Sequence, residues 1–117
     1  PPRSTLRNTL FPYTTLFRCK PDHIALGGHK LPFTRLPLRM RQLIDNHHGA
    51  LERLLDYLDT PRTAAECFAP LFKRTIGEGE YGLALVEAVA HVNHLYHTGL
   101  ATREQRADGA WLYQRRG

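Results

Sequence analysis

The chain has 117 residues, 42% hydrophobic and 23% charged, which is enough for one domain with a modest core. No apolar run approaches the ~20 residues a bilayer-spanning helix needs, so no membrane partner is expected. Two cysteines, Cys19 and Cys67, lack metal-ligand spacing and leave a cytoplasmic location as the default expectation.

The formal charge of +5 is unevenly placed. Arg3, Arg7 and Arg18 fall in residues 1–18, "PPRSTLRNTLFPYTTLFR", which have no acidic residue and no helical period. This stretch resembles a translated sequencing-adapter read-through with an inserted "RNTL". It is read as a non-native or disordered segment and set aside. A native β-hairpin arm on "LFPYTTLF" is the rival reading. Without those three arginines, 13 basic residues stand against 11 acidic ones, and the basic signal nearly disappears.

Organisation begins at Cys19. Asp22 to Leu26, "DHIAL", reads as a brief strand entering a tight loop at Gly27 and Gly28, where glycine tolerates a positive φ. Pro32 and Pro37 bracket a linker, and Pro37 suits the first turn of a helix. Met40, Leu43, Ile44, His47, Leu51, Leu54, Leu55 and Leu58 then recur at spacings of three and four, which predicts an amphipathic helix to about Asp59 despite Gly49. In "TPRTAAE", Thr63 and Glu66 form a capping-box signal for a second helix. It should carry Ala65, Phe68, Leu71 and Phe72 inward, with Pro70 interrupting it. A third helix is predicted from Tyr81 to Thr98, with Leu85, Ala88, Val89, Val92, Leu95 and Tyr96 on its apolar face. Gly99 suits its C-terminal cap. "LATRE", "QRADG" and "AWLYQ" then read as a hairpin about an Asp-Gly turn. The fold class is mainly α with a small β-hairpin, and three helices followed by a hairpin is the order of a winged helix.

From Asp22 to Tyr113 the sequence resembles the C-terminal end of metallo-β-lactamase-fold hydrolases with an appended winged-helix domain. Three stretches carry the resemblance. "GGHKLPF" is similar to the family loop P-G-H-G-x-P-F, with Gly27 and Lys30 departing from it. "RQLIDNHHGALERLLDYLDTPRTAAE" follows the family's helix with its paired histidines and restart. "LFKRTIGEGEYGLALVEAVAHVNHLYHTGLA" matches its L-F-x-R and A-x-A-H-L patterns. The resemblance implies that residues 19–36 are a short strand-and-loop remnant of an αβ/βα catalytic domain. Residues 37–114 would be the three-helix winged-helix accessory domain, and 115–117 a tail.

By the same resemblance, His29 is the last metal ligand of a one- or two-metal site. Zinc or another divalent metal would be the cofactor of the full-length parent, with the other ligands in an upstream H-x-H-x-D-H motif. One histidine falls short of the roughly three protein ligands of a catalytic zinc, so the catalytic set is incomplete. The fragment alone should hold no metal stably and should be inactive. The implied partners are the upstream catalytic domain and an ester- or thioester-like small molecule, with RNA kept as an alternative substrate and a homodimer as a further expectation.

The other histidines divide by position. His47, on the apolar stripe, is expected to be a packed core residue, and His48 to lie near substrate at the active-site mouth. Glu87, His91 and His94 fall within two turns of the third helix, opposite its apolar face, on what is read as a solvated or interdomain face rather than a metal site. The competing function is a stand-alone winged helix that binds nucleic acid or protein. Its recognition helix would need Lys or Arg against phosphates, and Tyr81 to Thr98 contains neither. Lys73 and Arg74 before the helix and Arg103 and Arg106 in the wing leave only weak backbone contact, so no nucleic-acid-binding residue is assigned.

Overall fold

A computed structural model describes residues 18–117. The adapter-like, disordered and rival-hairpin readings of residues 1–17 lie outside the described residues. The chain divides into two compact units, one reaching to His47 and one from His48 to Gly117.

In the first unit the expected strand contracts to a single pair. Ala25 and Phe33 form an antiparallel bridge, with Ala25 N–H donating to the Phe33 carbonyl at 2.7 Å and Phe33 N–H returning to Ala25 at 3.1 Å. The Arg35 N–H donates to the Pro21 carbonyl at 2.8 Å. Helix α1 then runs from Leu36 to Tyr57, with Pro37 in its first turn, where a missing N–H costs nothing.

In the second unit, the stripe on α1 is buried only in its later half. Ala50 and Leu54 are in the core, as is Leu58 just past the helix end. The Leu58 N–H still reaches the Leu54 carbonyl at 3.0 Å, and Thr60 before Pro61 then ends the helical run. The capping signal acts as read from the sequence: the Glu66 carboxylate accepts the Thr63 N–H at 2.7 Å and the Thr63 hydroxyl at 2.8 Å. The restart is nevertheless a 3₁₀ turn, Ala64–Cys67, before the short helix α2, Phe68–Phe72. Pro70 has no N–H to give the Glu66 carbonyl, so an α-helix cannot run unbroken through it. A three-residue turn puts Ala64 and Cys67 on one face. These two are buried, while Ala65, Phe68, Leu71 and Phe72 are half-buried.

Helix α3, Tyr81–His97, buries Ala84, Ala88, His91, Val92 and Leu95. Its end is a Schellman cap: the Leu100 N–H bonds the Leu95 carbonyl and the Gly99 N–H that of Tyr96, both at 3.0 Å. Gly99 takes φ +80°, a conformation that strains any side chain. Strands β1, Ala101–Gln105, and β2, Trp111–Arg115, pair antiparallel with Arg103 opposite Tyr113. Between them the Gly109 N–H bonds the Arg106 carbonyl at 2.8 Å and Gly109 has φ +89°, a turn closed by a left-handed residue. On the outer edge of β2, Arg62 exchanges both backbone bonds with Tyr113, at 2.9 and 2.7 Å. The core is therefore one cluster, with Leu54, Leu58, Cys67, Val92, Leu95 and Tyr113 at its centre.

Candidate functional site

His29 lies midway between the bridged residues Ala25 and Phe33, exposed at the tip of the loop they close. The bridge fixes the loop's base, and Pro32 stiffens the return. Neither Gly27 nor Gly28 adopts a positive φ, contrary to the sequence expectation. Gly27 instead allows close approach, since a Cβ there would stand 3.0 Å from the His29 carbonyl oxygen. The left-handed residue is Lys30, at φ +68°. It occupies the position where the resembling loop has glycine, and a side chain there costs about 1 kcal/mol of strain.

The remaining histidines separate. His47 is exposed rather than packed in a core, because the buried part of the α1 stripe begins only at Ala50. His48 is also exposed, on α1 in the second unit. On α3, His91 is 8% exposed and belongs to the buried face, which corrects its placement opposite the apolar side of the helix. Its Nδ1 stands 2.8 Å from the Glu87 carbonyl oxygen. A carbonyl can only accept, so that nitrogen carries the proton. His94 remains exposed, and its carbonyl accepts the Thr98 N–H and hydroxyl at the helix cap. Turning His91 inward parts it from His94. Among the described residues, no three His, Cys, Asp or Glu side chains are grouped to hold a metal.

A cluster not anticipated from the sequence lies where α3 meets the hairpin. The Arg103 guanidinium is sandwiched between the rings of Tyr96, 4.3 Å from its centroid, and Trp111, at 4.4 Å. Asn93 Oδ1 accepts the Tyr113 hydroxyl at 2.8 Å and faces the Arg103 guanidinium at 3.5 Å. Strand alternation was the available signal: Arg103, Trp111 and Tyr113 share one face of a hairpin whose register the Asp-Gly turn sets.

Residues 51–116 match the model of the metallo-beta-lactamase-like C-terminal domain. The chain belongs to that family. Two solved structures with this fold are similar to it. A beta-lactamase domain protein from Burkholderia ambifaria shares 31% identity at a TM-score of 0.79, over 92% of this chain and 33% of its own. A metallo-beta-lactamase family protein from Thermus thermophilus shares 32% identity at a TM-score of 0.65, over 80% of this chain and 28% of its own. The metallo-beta-lactamase-like chain thus spans about a third of the length of these relatives. No curated protein matches it.

Proposed function

We propose that this chain is the C-terminal portion of a metal-dependent hydrolase, with His29 as the last protein ligand to the metal. The carrying observation is the Ala25–Phe33 bridge, which holds an exposed imidazole at a loop tip with its base fixed. Such a ligand has little freedom left to lose on binding. The exposed apolar residues beside it support the reading: Ile24, Leu26 and Leu31 are 71%, 81% and 83% exposed, as expected of a piece that packs against further structure. When bound, a divalent metal such as zinc supplies a Lewis acid and a water of lowered pKa. The helix-and-hairpin unit is read as a winged helix that flanks the active site, with His48 at its mouth, and shapes access for an ester- or thioester-like substrate. The stand-alone nucleic-acid-binding reading is disfavoured by α3, which presents Leu83, Val86 and Glu87 to solvent and carries no Lys or Arg.

The test is His29→Ala in a protein that includes the upstream sequence. Metal content and turnover should fall at least ~10–100-fold, the cost typical of losing even an outer-shell partner. Thermal unfolding of the helix-and-hairpin unit should not change. A variant that keeps its metal and its rate would remove His29 from the site.

A further inference from the structure

We propose that Arg103 and Asn93 form a binding site for a single oxyanion, a carboxylate or phosphate group, where α3 meets the hairpin. The site lies wholly within the helix-and-hairpin unit and is independent of the role given to His29.

Charge comes first. Arg62, Arg74, Arg106 and Arg115 each have a carboxylate within 4.0 Å: Asp59, Glu80, Asp108 and Asp56 respectively. Arg103 has none among the described residues and is only partly exposed; Arg53 and Arg116 also lack one, but the Arg53 guanidinium donates to the Pro70 carbonyl and Arg116 is exposed. A half-buried guanidinium has already lost part of its water, so an anion at its free edge regains more than it would at an open surface.

Geometry comes next. The two rings cover both faces of the guanidinium and so leave its edge as the direction for donation. That edge carries the in-plane N–H fork that suits carboxylate and phosphate oxygens. Arginine can only donate, so the Asn93 atom facing it must be the amide oxygen. The Tyr113 hydroxyl donates to the same oxygen, and the two contacts orient the amide, its NH₂ included. No hydrogen bond from that NH₂ to a described residue is found, so it is a second donor beside the Arg103 edge. The site is thus a rigid cation with an oriented amide and no internal counter-charge. A polyanion is disfavoured because the neighbouring helix adds Glu87 and no cation.

Trp111 is the only tryptophan in the chain and lies against Arg103, so its fluorescence reports on the site. The intact chain would be titrated at pH 7 and constant ionic strength with inorganic phosphate, acetate and chloride in separate arms. Phosphate or acetate should change the emission saturably and chloride should not; the stronger of the two identifies the preferred oxyanion. Arg103→Lys keeps the charge but loses the fork, and should bind about tenfold more weakly. Asn93→Asp gives Arg103 a carboxylate of its own while leaving an oxygen for Tyr113. It should fold as well as the parent and lose the response. The proposal is overturned if no arm saturates, if chloride acts like the oxyanions, or if Asn93→Asp, with its melting temperature unchanged, responds like the parent.

Discussion

The two units place their apolar residues in opposite ways. From His48 onward, Leu54, Leu58, Val92 and Leu95 are at most 1% exposed and share one cluster with Tyr113. Before it, Ile24, Leu26 and Leu31 lie mostly in water, and the loop is held by backbone bonds around a single bridge. The second unit supplies its own stability through packing. The first supplies a conformation, a bridged loop with a histidine at its tip, and leaves its large apolar side chains exposed.

A pair of matched truncations should separate the two units by the largest margin. Leu54→Ala, at a site with no exposure, should cost ~2–5 kcal/mol in urea denaturation. Leu26→Ala should stay within ~0.5 kcal/mol. Equal losses would mean that the first unit has a core of its own.

Thiol chemistry tests the same contrast. Cys67 is fully buried, and burial pushes its thiol up to about 11. At pH 8 Cys19, only half-buried, should be alkylated first, and Cys67 only after denaturant is added. The sign follows from the raised value. Stability tied to the neutral Cys67 thiol is complete below its ordinary value near 9 and is lost as pH rises through about 11. Prompt labelling of both thiols at pH 8 would show that the core opens.

Smaller effects belong to the turns of the second unit. Gly99→Ala forces a side chain into φ +80° and should cost about 1 kcal/mol, measured by thermal unfolding. At the hairpin tip, the Arg106 guanidinium and the Ala110 N–H hold the Asp108 carboxyl down at about 2. The stabilisation it adds is present above its ordinary 3.8 and fades as pH falls through about 2. Backbone shifts of Gly109 and Ala110 should therefore titrate near the lower value, and Asp108→Asn should remove that transition. A midpoint near 3.8 would mean that the turn contacts do not persist in solution.

Patterns local to the chain were legible in advance. The α1 and α3 periodicities, the Thr63–Glu66 cap, the Gly99 terminus and the Asp-Gly hairpin each depend on residues within a few positions of one another. Their physics is complete within one turn of backbone, and the structure reproduces them. His29 was legible as a loop residue for the same reason, since glycines and a proline flank it.

Which side of a helix faces inward depends on distant partners, and there the sequence was silent. The α3 stripe read from spacing included Val89 and left out Ala84 and His91. Packing instead buries Ala84 and His91 and leaves Val89 37% exposed. The α1 stripe reads as continuous from Met40 to Leu58, yet its buried residues begin at Ala50 because only that part meets the shared core. Arg103 met Tyr96 and Trp111 only when the hairpin folded back on α3. Composition and spacing determine which elements form, because hydrogen bonding and side-chain strain are local. Burial and the company a charge keeps are decided by tertiary packing, where residues far apart in the chain remove the water from one another.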